Sequence, residues 1–228
     1  MEKNVCIVNF NTTELTQCAI RSLWKHTPDC KITVFDNSDT FPFEHMDGVT
    51  VFDNTKGQLI NFHEFLSHYP NRRPSKNRWA SAKHAKTIDY LFDLFPGGFV
   101  LMDSDILIKR DISDLFDEEY LFVGKMKECG GDRNNRNPRL LPFLCWLNVK
   151  MCVENCIRFF DGERSWKLNC GGPDTWYDTG SSFLQDCLDS GLPVRYIDID
   201  DYMIHFYGGS YKHKNWRAWL NQYRELYE

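Results

Sequence analysis

The stretch Phe99-Val100-Leu101-Met102-Asp103-Ser104-Asp105 decides the fold. Four apolar residues preceded by Pro96-Gly97-Gly98 read as a buried strand, and the chain then turns at once to two carboxylates flanking a serine. Packing that delivers two carboxylates to the end of a buried strand is costly unless something positive sits against them. Hard oxygen donors suit Mg²⁺ or Mn²⁺, and such an ion would neutralise charge on a phosphate. A plain Asp-Ser-Asp turn, with the carboxylates accepting backbone N–H bonds, is the other reading.

Working outward, residues 80–95 carry Ala82, Ala85, Ile88, Leu91, Phe92 and Phe95 at helical spacing, and Pro96-Gly97-Gly98 ends that helix. The chain opens with an apolar run over 4–10, then Thr12 or Thr13 as a helix cap and a helix over 14–25 that Pro28 stops. A second strand, Lys31 to Asp36, breaks at Asn37-Ser38-Asp39, and a third, Val49 to Phe52, breaks at Asp53-Asn54-Thr55-Lys56-Gly57. This β-α-β opening with repeated strand-plus-polar-turn units predicts an α/β domain with a mainly parallel sheet flanked by helices, its polar strand tips lining one crevice. Downstream the patterns predict a strand over 120–123, a loop over 130–138 with the composition of a lid, and helices over 149–160 and 179–190. A strand over 194–199 and a terminal helix over 216–226 complete the chain. With no repeat or Gly/Ser linker, residues 1–228 read as one domain. The terminal helix, with Trp216, Trp219 and Tyr223, packs on the core by default.

Composition narrows the function classes. A 228-residue chain that is 42% hydrophobic and 26% charged is an ordinary globular one, neither disordered nor a coiled coil. The net charge of −5 argues against a nucleic-acid partner, since phosphate binding needs cations. Nine cysteines form no Cys-x-x-Cys and cannot all pair, which predicts reduced thiols in a cytoplasmic protein. Cys152 and Cys156, four apart, read as packing on one helix. No signal peptide and no run of 18 apolar residues is present, so no transmembrane segment is expected; peripheral attachment at the inner membrane face is left open.

Further chemistry lies late in the chain. His205 follows an apolar stretch and precedes Gly208-Gly209, whose backbone can approach a phosphate, and Lys212 and Lys214 follow. Imidazole with two carboxylates is a Mn²⁺ set; a hydrogen-bonded, half-buried histidine is the alternative. In Asp174-Thr-Trp-Tyr-Asp178, two carboxylates flank two aromatics just before a helix, a suitable place for a general base beside a sugar hydroxyl. Asp178 is the favoured base and Asp174 the substitute, with an N-cap role for Asp178 the competing reading. Residues 72–86 hold six Lys or Arg and no acid, either a solvated face or an anion-attracting one, and His84 in that stretch is read as structural.

The opening Val5-Cys-Ile-Val-Asn-Phe-Asn11, the strand end Val34-Phe-Asp36-Asn37-Ser38, the turn Asn54-Thr-Lys-Gly57 and the strand Val100-Leu-Met-Asp103-Ser-Asp105 together resemble the nucleotide-sugar-binding half of GT-A glycosyltransferases, nearest the family 2 type. That resemblance covers residues 1–110 and leaves 111–228 as the acceptor half. It implies that Asp36 reads the nucleobase or ribose, with Asn9, Asn11, Asn37, Ser38, Gly57 and Ser104 on the nucleotide. It implies that Asp105 coordinates the metal and Asp103 supports it or touches ribose. The late His205, Gly208 and Lys212 are similar to a His-Gly-Lys segment of other GT-A families, in which the His completes the metal site and the Lys meets the diphosphate. The Glu-Asp pair and Gln-x-x-Arg-Trp segment of family 2 are missing, so the base is not carried over.

The expectation is a glycosyltransferase, dependent on Mn²⁺ or Mg²⁺, that moves a sugar from a nucleoside diphosphate donor to a hydroxyl of a glycan or lipid-linked acceptor, with inversion. A nucleotidyltransferase would carry a Gly-rich basic loop where this chain has Asn9-Phe-Asn11-Thr-Thr. A binding protein with a catalytically degenerate GT-A fold would hold nucleotide without consuming donor.

Overall fold

The computed structural model describes residues 2–67, 76–128, 138–161, 179–206 and 215–228, with backbone alone for 66, 67 and 76–81. The opening reads β1 (Asn4–Asn9), α1 (Thr13–His26), β2 (Lys31–Asp36), β3 (Val49–Asp53), α2 (Phe62–Ser67) and α3 (Lys76–Leu94). Then come β4 (Phe99–Asp103), β5 (Ile106–Ile108), β6 (Phe122–Gly124), β7 (Met126–Lys127), β8 (Arg139–Leu140), β9 (Leu144–Leu147) and α4 (Val149–Glu154). The chain closes with α5 (Ser181–Ser190), β10 (Arg195–Tyr196), β11 (Met203–His205) and α6 (Trp216–Gln222).

Seven strands form one sheet in the order β10-β6-β9-β4-β1-β2-β3. Neighbours pair in parallel except at β9, which runs antiparallel to both β4 and β6. The sheet is therefore α/β and mainly parallel, as the opening pattern predicts. Side-chain alternation divides its two faces. Val5, Ile7, Ile32, Val34, Val100 and Met102 pack with Ala19, Ile20 and Leu23 of α1, while Cys6, Phe35, Phe99 and Leu101 pack with Ile88, Leu91 and Phe92 of α3 and Phe183 of α5. Each fully buried Ile, Leu or Phe contributes about 2 kcal/mol, so the two layers clamp the sheet and hold its strand ends still.

The ladder aligns the polar tips. Asn9 lies opposite Asp36, Asp36 opposite Asp53, and Asp103 opposite Val8. Between β1 and β4 the chain order reverses, and crevices for ligands open at the carboxyl ends of strands at such a point.

Several local expectations are corrected. The helix predicted over 149–160 stops at Glu154, because Cys156 takes a left-handed φ of 57° and Cys156 N and Ile157 N close onto Val153 O and Cys152 O. Cys152 is buried and Cys156 exposed beyond the helix, so the two do not share a face. Thr12 stands at the start of α1 without capping it; its hydroxyl is drawn instead to Asn9 and Ser104. The strand over 194–199 is only two residues long, and the terminal helix ends at Gln222, followed by a 3₁₀ turn over Arg224–Leu226. That helix does pack on the core: Leu220 is buried against Leu15, Cys18 and Leu107. No helix among the described residues is long and apolar enough to cross a membrane.

Candidate active site

Three carboxylate or imidazole groups meet at the carboxyl end of β4. Asp103 ends β4, Asp105 follows one residue later, and β11 pairs antiparallel with β5 so that His205 lies opposite Ile106. Phe206 N donates to Asp105 O at 2.9 Å and closes that ladder beside the acidic turn. His205 Nε2 is 3.0 Å from Asp105 Oδ1 and 3.9 Å from Asp103 Oδ2, and one ligand atom from each residue lies within 4.8 Å of the others. The His205 side chain is 5% exposed, with its ring centre 4.2 Å from that of Phe143, whereas Asp103 keeps 21% exposure and so stays in reach of solvent.

Electrostatics fit a cation. Burial first, and the Asp105 carboxylate second, push Asp103 well above the ordinary carboxylate range. A divalent ion would relieve the repulsion between the two carboxylates, and two carboxylates plus an imidazole are donors that Mn²⁺ accepts. The residues present therefore fit the group. His84, half-buried on α3, is pushed down to about 4 by burial against the pull of Asp105, so it adds a neutral imidazole near the pair.

The tips of β1 and β2 form a buried polar frame. Asn9 Nδ2 donates to Asp36 Oδ1 at 2.8 Å and to Ser38 Oγ at 3.0 Å, and Asn9 Oδ1 accepts from Thr12 and Thr16. Thr12 Oγ1, its hydrogen given to Asn9, also lies within hydrogen-bond distance of Ser104 Oγ at 3.0 Å, which couples this frame to the acidic turn. Asp36 is 2% exposed and accepts from Asn9, Ser38 and Phe43 N. Asn37 Nδ2 donates to Thr87, and Asn37 Oδ1 accepts from Asn54, both inside the fold. Gly57, with φ of 68°, turns the chain after β3.

Asn11 has a φ of 58°, which asparagine tolerates better than most side chains. Its Oδ1 accepts from Thr40 N and Phe41 N, both at 2.9 Å, and its Nδ2 donates to Asp39 at 2.6 Å. Lys83 of α3 stands 5.8 Å from the Phe10 ring centre and 5.0 Å from that of Phe62; burial lowers its pKa against the attraction of Asp39.

Of the residues singled out from the sequence, the structure brings together Asp103, Asp105 and His205, and links Ser104 to Asn9 through Thr12. Asp36, Asn37 and Ser38 sit in the buried frame. Asp174, Asp178, Lys212 and the loop over 130–137 lie outside the described residues. Lys83 belongs to the basic stretch over 72–86 singled out from the sequence, whereas Asp39 as a site residue and the β5–β11 ladder escape sequence reading. Asp39 has a readable signal, a polar residue in the turn directly after a buried strand; the ladder has none, because its two strands are three residues each and far apart in the chain.

No family model and no curated protein sequence matches the chain. Among solved structures, a mutant form of LgtC matches with a TM-score of 0.53 at 13% identity, covering 86% of this chain and 73% of that one. TarS of S. aureus matches at 13% identity over 91% of this chain and 37% of its own, with a TM-score of 0.48. The mannosyltransferase PcManGT of Pyrobaculum calidifontis, solved with GDP-Man and Mn²⁺, matches at 12% identity over 86% of this chain and 54% of its own, with a TM-score of 0.45. The LgtC match alone of these exceeds 0.5; LgtC itself is a galactosyltransferase solved with donor and acceptor sugar analogues. At such identities the likeness is one of fold, and it does not single out the family 2 type. Strand order, the reversal of chain order between β1 and β4 and this likeness establish the fold of the chain as the α/β GT-A fold.

Proposed function

We propose that the chain is a metal-dependent glycosyltransferase that moves a sugar from a nucleoside diphosphate donor to a hydroxyl of a glycan or lipid-linked acceptor, with inversion. The observation that carries this reading is the convergence of Asp103, Asp105 and His205, from two separate ladders, on the strand-end crevice of a GT-A fold. Those three residues would hold Mn²⁺ or Mg²⁺, which supplies neutralisation of charge on the diphosphate.

The remaining steps belong to side chains of the protein. Residues 1–110 take the donor: Asn9, Asp36, Asn37, Ser38 and Gly57 fix the shape of the nucleoside wall, while Asn11 and Ser104 border the path from nucleoside to diphosphate. Residues 111–228 take the acceptor. Asp178 accepts the proton of the acceptor hydroxyl as its oxygen attacks the anomeric carbon, with Asp174 the substitute. The bond from that carbon to the diphosphate oxygen breaks on the opposite face, and Lys212 meets the negative charge that departs.

The test is thermal stabilisation by UDP, GDP, CDP, ADP and dTDP, each with and without Mn²⁺, because a ligand that binds only the native state raises its melting temperature. The expected result is a metal-dependent shift for one nucleotide, followed by release of that nucleotide from its sugar conjugate when acceptor is supplied. No shift with any of them overturns the reading, and binding without turnover leaves a nucleotide-binding protein.

A further inference from the structure

Asp36 is poorly placed to read a ligand. Its Oδ1 accepts from Asn9 Nδ2 at 2.8 Å, Ser38 N at 3.1 Å and Ser38 Oγ at 2.6 Å, its Oδ2 accepts from Phe43 N at 2.7 Å, and the residue is 2% exposed. A carboxylate that is shielded from solvent and accepts four bonds from its own frame is committed to holding that frame rather than to meeting a nucleoside. We propose that Asp39 and Phe41, in the loop that follows, read the nucleoside instead: Phe41 is the platform on which the base stacks, and Asp39 accepts the ribose hydroxyls, so that the donor is a ribonucleoside diphosphate.

Phe41 is 57% exposed. One exposed apolar side chain is ordinary on a protein surface. What sets Phe41 apart is how firmly the backbone beneath it is held. Asn11 Oδ1 takes both Thr40 N and Phe41 N, Phe43 N is tied to Asp36, and Glu44 N donates to Thr13 Oγ1. Asn11 makes those bonds from a left-handed backbone with φ of 58°, a conformation open to asparagine. A loop backbone already held in place loses little freedom when a base stacks on the side chain it carries.

The location follows from covalent continuity. Asn11, which holds Phe41, is followed directly by Thr12, whose hydroxyl is 3.0 Å from that of Ser104, between Asp103 and Asp105. A nucleoside at Phe41 and a diphosphate at the acidic pair would thus be joined across Asn11 and Thr12. Asp39 is exposed, and its bonds from Asn11 Nδ2 and Thr40 Oγ1 both fall on Oδ1. Its second oxygen remains to accept from a ribose, and the hydrogen bonds from Asn11 and Thr40, with the Lys83 charge a smaller aid, favour the ionised carboxylate.

This inference rests on the donor site proposed above, and the experiment separates the two. Titration calorimetry at saturating Mn²⁺ would compare wild type with Phe41→Ala, Phe41→Tyr and Asp39→Asn, using the nucleoside diphosphate that stabilises wild type most, its 2′-deoxy counterpart, and inorganic diphosphate. On the scale of base–aromatic stacking, Phe41→Ala is expected to weaken the nucleotide about tenfold and Phe41→Tyr by less than about threefold, with inorganic diphosphate changed by less than about twofold in either. Asp39→Asn is expected to erase the preference of wild type for the ribonucleotide over its deoxy form. Unchanged nucleotide affinity in Phe41→Ala, or equal losses for nucleotide and inorganic diphosphate, overturns the platform; an unchanged ribose preference in Asp39→Asn overturns the second assignment. If wild type binds no nucleoside diphosphate, the donor-site reading falls and this inference with it.

Discussion

His205 Nε2 and Asp105 Oδ1 stand 3.0 Å apart across a separation of 100 residues. The pairing of β11 with β5 produces that approach, and it gathers a donor set that neither stretch holds alone. Asp105→Asn should abolish the Mn²⁺-dependent part of nucleotide stabilisation. The same change relieves the repulsion on Asp103, so the metal-free melting temperature should hold or rise by about 2 °C. A variant that keeps a wild-type Mn²⁺ response removes Asp105 from the donor set.

Asn9 is fully buried and satisfies Asp36, Ser38, Thr12 and Thr16 at once. Asn9→Ala leaves those partners without their bonds, and each buried polar group so stranded costs about 1–3 kcal/mol. Urea denaturation should show a loss of more than about 3 kcal/mol. A loss under about 1 kcal/mol would mean that the frame rearranges around the gap.

Asp89, buried on α3, accepts from Phe159 N at 2.8 Å and Phe160 N at 3.3 Å, and burial raises its carboxyl from the ordinary 3.8 to about 6. A raised acid pKa means that the folded state holds the proton more tightly than the unfolded chain. This group therefore lowers stability as pH rises from about 4 to about 6, and the penalty is complete above that range. Between pH 5 and pH 7 wild type should lose about 1 kcal/mol more than Asp89→Asn, whose side-chain oxygen can still accept both bonds. Parallel pH profiles for the two proteins would refute the assignment.

Gly180 precedes α5 with φ of 83°, and a Cβ there would meet Leu140 O at 2.3 Å. Gly180→Ala should cost more than about 2 kcal/mol, from backbone conformation and from a clash with a carbonyl that cannot swing away. Gly97, with nothing within 4 Å of its Cβ position, is the control, and Gly97→Ala should change the chemical denaturation midpoint little.

Asp178 stands just ahead of α5, in a stretch outside the described residues. Asp178→Asn should leave metal-dependent donor binding unchanged and slow transfer by at least about 100-fold, since a carboxamide cannot take the acceptor proton. Transfer at the wild-type rate would pass the role to Asp174 or point to a retaining course.

The strands at the centre of the fold were legible because burial on both faces leaves near-continuous apolar runs, as in Val5-Cys6-Ile7 and Phe99 to Met102, each ending in polar tips. Their acidic ends pointed to the metal-capable pair for the same reason. The antiparallel strand Leu144–Leu147 gave no comparable signal: a four-residue apolar run without flanking turn chemistry does not say which strands it joins, and here it links β4 to β6. Helix ends were less legible too, since the left-handed turn at Cys156 stops α4 without the glycine that usually marks such a stop.

The sequence by itself determined the α/β class, the parallel opening of the sheet and the presence of a carboxylate pair at a strand end, because hydrophobic periodicity and turn residues act over a few neighbours. Only the tertiary structure decided that His205 joins that pair and that Asp36 is consumed by the frame while Asp39 faces solvent. Those outcomes depend on strand pairing and on which donors reach a given oxygen, and both are set by packing between segments far apart in the chain.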